Sequence, residues 1–571
     1  MNTNFKHKIL AGAIMCGALL AFPSCDDSEL MPKPNEKKLY QLIKEDPELT
    51  DFIEVINSCG EHCLDSLFNK SRVYTVWAPV NDSFDKEALI KEVEKGNREQ
   101  VFKTFVMSHV ANHRRAINGE VKEKKVLLLN GKYAVIDSYR AEDGVHYTFE
   151  GMQLEDVNVR AWNGLLHKLS APAEYRYNIW EYLRQDSRVD SVANYLYSFD
   201  VTDFSEGASL KGPIVNGQQT YIDSVFVTTN SMLNSWGGVG QLKNEDSTYT
   251  VYVPTNEVWQ EMTALAEKHF RYNDYLKPGK DVVSDEDRDS LRRYYSTINV
   301  IKYMTYSDNE QRHLEDPRFA MPAWHGRSVF DERPEFEKDS LDKHVIFTKQ
   351  LSNGTFKIVD KLPYTQFDLW HDTIEIEVEN SATRNTPENA GIKRVSKIEI
   401  DKDSIWAGTE ISGDAYYRVE GGRSGSKELI CGFPNVLSAN YELALVFVPE
   451  GFPKVDSAEI KPTYMEVSLV HNHLTDNDQP FFTQTISDYT ISKVDTLFLT
   501  DEEGKRAVIS VPYCEYYDGY QGTSSFENLN LRLKIKSIVP KVGNKPMDYK
   551  KLDVSLDIDE ILLIPVKDSE E

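Results

Sequence analysis

Two copies of one short stretch constrain this chain more than anything else in it: TVWAPVNDSF, from Thr75 to Phe84, and TVYVPTNEVW, from Thr250 to Trp259. In each, β-branched and aromatic residues run into a proline, which lacks the N–H a sheet ladder needs and so ends the strand. Asn with Asp or Glu follows and supplies a capped helix start. Each copy therefore reads as strand, turn, helix. A further marker follows each one, an Asn-Gly turn leading through an apolar segment to a proline: NGLLHKLSAP from Asn163 and NGTFKIVDKLP from Asn353. Two paired markers in the same order make an internal duplication. The glycines, Gly164 and Gly354, are expected at turns that need a positive φ.

These markers resemble those of the fasciclin family, in which the first motif is similar to TVFAPTNDAF and the other is similar to NGVIHVIDKVLLP. The resemblance covers roughly Lys37 to Trp370, a little over half the chain. It implies two tandem fasciclin-like α/β units, at 37–175 and 176–370. The family also carries a Tyr-His pair associated with integrin-type adhesion. In FVMSHVANHR, His109 matches the His of that pair, but Ser108 stands where the Tyr would be. In the second unit the position reads Tyr303-Met304, so the His is absent. The adhesion reading is half supported at best, and His109 is expected to pack or hydrogen-bond at a helix end.

Within the units, Leu39, Leu42 and Ile43, then Leu49, Phe52, Ile53 and Ile56, recur at helical spacing, as do Val101, Phe102, Phe105 and Val106. KKVLLLNGKYAVIDS reads as a hairpin around Asn130-Gly131. The second unit is longer, with strand-like pieces between Phe199 and Ser235 and an insertion from Glu315 to Lys343 that carries Trp324, His325, Phe330 and Phe336. Insertions of this kind go to surface loops, where binding residues often sit.

After Trp370 the texture changes. DTIEIEVEN, YELALVFVP, TYMEVSLVHNH, RAVISVPY, LRLKIKSIV and DEILLIPV are short alternating runs separated by Gly, Asn, Asp and Pro, with no long helical period between them. That is the signature of an all-β sandwich. LVFVPEGF, from Leu445, invites a third fasciclin-like unit, but no Asn-Gly marker follows it. The run ANYELALVFVP and the closing IDEILLIPV resemble strands of jelly-roll modules found in carbohydrate-binding and related surface proteins. The expected architecture is multidomain α+β, two fasciclin-like units followed by a jelly-roll-like sandwich at 371–571.

The first residues read as an export signal. Lys6, His7 and Lys8 precede an apolar run from Ile9 to Phe22, too short to span a bilayer, and Pro23, Ser24 and Cys25 follow. The pattern resembles a bacterial lipoprotein signal at 1–24, with Cys25 as the lipidated residue of an acidic tether at 25–36. Asp26, Asp27 and Glu29 beside that Cys are similar to the surface-export signal of Bacteroidetes lipoproteins. A lipid-anchored protein at the outer membrane, on the cell surface, is the expectation. The formal net charge is −26, and loss of Lys6 and Lys8 with the signal takes it to −26 − 2 = −28. A chain so acidic repels phosphate backbones, which makes nucleic acid a poor partner.

Chemistry-bearing patterns are scarce. Cys59 and Cys63 in CGEHC have metal-ligand residue types without the second half that four-coordinate zinc needs. Cys431 and Cys514 lie in strand-like segments of an exported chain, so a disulfide between them is one alternative. His471 and His473 share a strand face without an evident third ligand, and Asp476, Asn477 and Asp478 fall short of a calcium loop. GGRSGS from Gly421 lacks nucleophile-elbow spacing. No cofactor or metal is called for. Tyr513, Tyr516, Tyr517 and Tyr520, in PYCEYYDGYQG, are the candidate binding residues, with Trp324 beside them: flat apolar faces with hydroxyl handles suit a sugar ring or a peptide. The function expected is a non-catalytic surface lipoprotein, a scaffold or accessory component binding a glycan, a peptide or a subunit of an outer-membrane importer. The alternatives are a fasciclin-type adhesin for cells or host matrix, and a hydrolase in the β domain.

Overall fold

The strands that open the two motifs are buried at every residue, β1 (Tyr74–Pro79) in the first repeat and its counterpart Tyr249–Pro254 in the second. Such strands are covered on both faces. The computed structural model describes residues 36–60, 72–233, 239–273, 284–301, 304–307, 338–385, 391–396, 398–402, 404–420, 428–450, 452–453, 461–471, 480–514 and 529–567. The signal-like run, Cys25, Cys63, Tyr303, Trp324, His473, the acidic turn at 476–478, GGRSGS, Tyr516, Tyr517 and Tyr520 lie outside the described residues. The fold divides into two compact units, Met1–Arg176 and Tyr177–Glu571.

In the first unit, helices α1 (Leu39–Glu45) and α2 (Thr50–Ser58) precede β1, and α3 (Lys86–Glu94) follows it. Asp85, one residue past the motif, caps α3 by accepting from the Ala88 N–H, so the cap expected from Asn81 and Asp82 is corrected to Asp85. The remaining strands are β2 (Val110–Asn112), β3 (Lys124–Leu127), β4 (Tyr133–Ala141), β5 (Gly144–Phe149), β6 (Met152–Ala161) and β7 (Gly164–Leu169). They form one seven-stranded sheet in the order β2-β1-β7-β6-β5-β4-β3. β1 and β7 pair in parallel, Tyr74 opposite Gly164 and Trp77 opposite His167. Alternation along β1 sends Val76 and Ala78 into the helix-side core with Phe52 and Ile56, and Trp77 to the other face with Phe149 and Leu169.

The second unit opens with α4 (Ile179–Tyr182) and α5 (Asp190–Tyr197). A pair of two-stranded ribbons follows: β8 (Asp200–Phe204) with β11 (Phe226–Asn230), and β9 (Leu210–Val215) with β10 (Gln218–Asp223). Then come β12 (Tyr249–Pro254), α6 (Asn256–Glu267), α7 (Asp285–Ile301), β13 (Thr305–Ser307), β14 (Val345–Leu351) and β15 (Gly354–Val359). The sheet order is β13-β12-β15-β14, with β12 and β15 parallel and Tyr249 opposite Gly354.

Both markers work as clamps, and they do so identically. Asn81 Oδ1 accepts from the Asp51 N–H at 2.9 Å, and its Nδ2 donates to Pro47 O at 2.8 Å; Asn256 Oδ1 accepts from Ser191 N–H at 2.8 Å, and its Nδ2 donates to Ser187 O at 2.8 Å. In each case the bonded amide is the second residue of a helix, α2 or α5, where backbone N–H groups have no intrahelical partner. The Asn of the Asn-Gly marker repeats the device on the first helix. Asn163 Oδ1 accepts from Leu39 N–H at 2.8 Å, and Asn353 Oδ1 from Ile179 N–H at 2.9 Å. Neither α1 nor α2 has a side-chain cap from its own N-cap residue, so the distant Asn supplies one.

The glycines beside these Asn residues are required by closeness. A Cβ on Gly164 would lie 2.0 Å from Tyr74 O, and one on Gly354 would lie 1.9 Å from Tyr249 O. Only Gly354 also has a positive φ, +143°. The expectation of a positive-φ turn is therefore corrected at Gly164, where the parallel neighbour's carbonyl leaves no room for a side chain.

The same unit continues into two antiparallel sheets. One joins β17 (Gly391–Ser396), β18 (Ala415–Glu420), β28 (Leu556–Pro565), β20 (Asn440–Phe447) and β23 (Asp495–Phe498), with β16 (Ile374–Glu377) on β28 and β24 (Ile509–Ser510) on β20. The other joins β19 (Glu428–Gly432), β25 (Leu531–Ser537), β21 (Pro462–His471) and β22 (Phe482–Thr490). A small hairpin, β26 (Lys541–Val542) and β27 (Lys545–Pro546), stands apart. Leu443, Leu445 and Ile561 of the first sheet share a core with Val467, Leu469 and Leu533 of the second, which makes a sandwich. β20, the strand of LVFVPEGF, pairs antiparallel with β28 and β23, unlike the parallel pairs of the two repeats.

Candidate functional site

Of the four candidate tyrosines, Tyr513 is described. It is half-buried, 6.2 Å from the buried ring of His471 between centroids. The next residue, Cys514, is the anchor. Its N–H donates to Arg271 O at 2.7 Å and its thiol to His269 O at 2.9 Å. Ser438 reinforces the same join: its N–H donates to His269 O at 3.0 Å, and its Oγ accepts from Arg271 N–H at 3.1 Å. The segment after α6 is thus bonded to two loops of the sandwich, and Leu437 and Cys514 belong to the core of the second repeat.

Behind this seam sits a pair of buried imidazoles. His269 and His371 lie 5.1 Å apart between ring centroids, with His269 Nε2 3.0 Å from Gln366 Oε1. His371 stacks on Phe367 at 5.4 Å and meets the edge of Tyr441 at 5.3 Å. Both of its nitrogens are buried without a hydrogen-bond partner. Burial, with His269 adding to it, pushes its pKa down to about 3. It is a neutral packing residue at ordinary pH. No periodicity in the sequence joins His269, His371 and Ser438; their one signal is that His371 follows Trp370, where the texture changes.

Among the described residues, Cys59, Cys431 and Cys514 are buried, and Cys431 is a free thiol. Cys431 lies in the sandwich core while Cys514 bonds at the seam, so the disulfide alternative is corrected. Burial pushes the Cys431 thiol up to about 12, which makes it a poor nucleophile.

His109 is a structural residue. Its Nδ1–H donates to Phe105 O at 2.7 Å, its Nε2 accepts from Ala173 N–H at 3.0 Å, and the side chain is wholly buried. Both ring nitrogens are satisfied only by the neutral tautomer, and burial holds its pKa down at about 4. Ser108 is also committed, donating to Thr104 O at 2.7 Å and accepting from Asn130 Nδ2 at 2.9 Å.

Acids gather at one turn of the sandwich among the described residues. Glu377, Glu379 and Asp559 each keep one carboxylate oxygen buried without a hydrogen-bond partner around the turn at Ser412, whose N–H donates to Asp559 Oδ2 at 3.1 Å. Burial pushes Asp559 up to about 7, with Glu560, Glu377 and Glu379 adding to it, and Glu379 is raised for the same leading reason. Retained protons relieve the repulsion. Among the described residues, no group of three or more His, Cys, Asp or Glu is arranged to hold a metal ion, and no helix is long and apolar enough to cross a membrane.

No family model matches the chain, and no curated protein does. Among solved structures, it is similar to a FAS1 domain pair from the insect cell adhesion molecule fasciclin I. That match has 15% identity over 56% of this chain and 98% of the other, at a TM-score of 0.20. It is also similar to the CBM22-1 xylan-binding domain of Paenibacillus barcinonensis Xyn10C, at 13% identity over 35% of this chain and 97% of that one, TM-score 0.19. A third is the CBM22-1–GH10 portion of a Clostridium thermocellum xylanase complexed with xylohexaose, at 11% identity over 35% of this chain and 28% of that one, TM-score 0.19.

Proposed function

We propose that the chain is a non-catalytic binding component held at the outer membrane by a lipid on Cys25. In this reading it is a lipoprotein of two fasciclin-like units and a jelly-roll-like sandwich, and the segment from Tyr513 to Tyr520 presents a face to a glycan, a peptide or an importer subunit. The observation that carries the reading is the lock at Cys514. Two hydrogen bonds fix Cys514, at the root of that segment, to the second repeat. The commitment of His109 and Ser108 to internal hydrogen bonds speaks against adhesion through that pair. In the same reading, charge does not supply affinity for anionic partners, because the chain carries −26.

The test is to titrate the chain from Asp26 onward with candidate glycans and with detergent-solubilised importer from the same organism, beside a Tyr516→Ala/Tyr517→Ala variant. The variant should lose at least about tenfold in affinity, the worth of two aromatic contacts. Hydrolysis of a glycan, or tight binding to host matrix proteins and nothing else, would replace this reading with the hydrolase or the adhesin. The anchor has its own check: Cys25→Ala should leave the membrane fraction.

A further inference from the structure

Five Asn-Gly pairs occur in the chain, at Asn118, Asn130, Asn163, Asn216 and Asn353. Each carries the same latent reaction. The glycine nitrogen can attack the carboxamide carbon of the asparagine before it, because glycine has no side chain to shield that nitrogen. In sequence the five are alike, and in the fold they are not.

Three are locked. Asn163 and Asn353 are 1% and 2% exposed, their carboxamides accept from the Leu39 and Ile179 N–H groups, and Gly164 and Gly354 lie pressed under a carbonyl oxygen of the parallel strand. Asn130 is locked by its own turn. Its Nδ2 donates to Ser108 Oγ at 2.9 Å and its Oδ1 accepts from Lys132 N–H at 3.0 Å. The nitrogen that would attack is occupied as well, since Gly131 N–H donates to Leu128 O at 3.1 Å.

The other two are open. Asn118 and Asn216 are exposed, and among the described residues neither carboxamide has a hydrogen-bond partner. A Cβ built on Gly119 or Gly217 would meet nothing within 4 Å, so water and base reach both amides. Asn118 sits in the irregular segment between β2 and β3, and the residues around it are tied while its carboxamide is not. Ile117 N–H donates to Asn158 Oδ1 at 2.9 Å, Asn158 Nδ2 donates to Ile117 O at 2.7 Å, and the Tyr147 hydroxyl donates to Gly119 O at 2.9 Å. Asn216 and Gly217, both at positive φ, close the β9–β10 ribbon at its far end. Exposed loop tips of this kind are where covalent change concentrates.

We propose that Asn118 and Asn216 are sites of spontaneous deamidation and that folding protects the other three. In the reaction a solvent base takes the proton of the glycine N–H, and the nitrogen's electron pair forms a bond to the asparagine Cγ. The Cγ–Nδ2 bond breaks, and ammonia leaves with a proton supplied by water. The cyclic imide then takes up a water. Opening at Cγ gives aspartate, and opening at the main-chain carbonyl gives isoaspartate, whose backbone runs through Cβ and Cγ. Nothing is oxidised or reduced, and the sum is amide plus water to acid plus ammonia. Each event places a new carboxylate on the surface. Isoaspartate at 118 also adds a carbon to the main chain between the ties at Ile117 and Gly119, which loosens the grip of Asn158.

The experiment ages the full chain in mildly alkaline buffer, with a parallel sample in denaturant, and follows the five peptides by mass spectrometry. Isoaspartate is scored by the methyltransferase that labels it. In the folded sample, product at 118 and 216 should form at least about tenfold faster than at 130, 163 and 353, because a locked pair reacts only in the fraction of molecules that has opened. In denaturant all five should react at similar rates, which ties the protection to the fold. Amide exchange at Ile117 should quicken in the aged folded sample. Equal rates at the five sites in the folded chain would overturn the proposal, as would an Asn118 or Asn216 that stays intact once the denatured control has reacted.

Discussion

The two repeats are clamped alike and filled differently. In the first, Trp77 lies flat between Phe149, at 4.7 Å and 17°, and His167, at 5.5 Å and 9°, an aromatic stack closed by strands β5 and β7. In the second, the same strand position holds Tyr252. Its hydroxyl donates to Asp342 Oδ1 at 2.8 Å and accepts from Lys357 Nζ at 3.3 Å, and Lys357 occupies the position of His167. The residues that recur are the ones that bond a strand end to a helix start, Asn81 with Asn256 and Asn163 with Asn353. The residues that differ fill the space behind. A motif of this kind records backbone connections, and side-chain filling is free to diverge as long as each buried polar group finds a partner.

The hardest way to break the comparison is at the glycines. Gly164→Val and Gly354→Val should each destabilise their own unit by about 3 kcal/mol or more, because the new Cβ meets a carbonyl oxygen that cannot move without parting two parallel strands. With alanine the two should separate, Gly354→Ala being worse since its φ of +143° adds backbone strain. Denaturant melts followed by domain-resolved exchange would read both; equal and small effects would contradict the close approach.

Acid should distinguish the units next. His109 and His167 are each held at about 4 by burial, below the ordinary imidazole value near 6.5. The unfolded chain therefore takes up protons that the native first unit refuses, and stability falls as pH drops from about 6.5 to about 4, by about 1.4 kcal/mol per pH unit per histidine. His371 acts in the same sense in the second unit. There it is opposed by Asp553 and Asp559, both raised to about 7 by burial. The native state keeps those protons while the unfolded chain releases them, so stability rises as pH falls from 7 towards 4. The first unit should melt at lower temperature at pH 5 than at pH 7, while in the second the two aspartates outweigh the one histidine and stability should hold or rise. Asp559→Asn should remove part of that compensation, and His167→Gln should flatten the response of the first unit.

Removing a clamp should cost less. Asn163→Ala and Asn353→Ala should each destabilise their own unit by about 1 to 2 kcal/mol, because each leaves a helix-start N–H without its acceptor. The smallest effect belongs to the filling. Tyr252→Phe deletes one hydroxyl from the polar cluster and should cost about 1 kcal/mol, while the ion pair of Lys357 with Asp342 remains.

Much of this was legible before any coordinate. Proline-ended strands followed by capped helices mark β1 with α3 and β12 with α6, and the hairpin at Asn130-Gly131 joins β3 to β4. The alternation after Trp370 pointed to a sandwich because period-two burial is local information. What the sequence could not carry was contact between distant residues. A cap that reaches across 124 residues to Leu39, or 174 to Ile179, leaves no local trace. The same holds for Cys514, bonded to His269 across 245 residues; its position in a strand-like run invited a disulfide that burial elsewhere forecloses. The sequence between Phe199 and Ser235 shows interrupted strand pieces, and the solvent exposure of the ribbons shows how little covers them. Cys25, Trp324, Tyr516, Tyr517 and Tyr520 are sequence expectations for experiment to decide.

The central claim is that the repeated motifs are clamps, each holding one helix start from a distance. Native-state amide exchange on Asn163→Ala and Asn353→Ala tests it most directly. The account predicts that the first substitution accelerates exchange at Leu39 and its neighbours in α1 alone, and the other at Ile179 and α4 alone. Unchanged exchange at both helix starts, or equal loosening of both by either substitution, would contradict it.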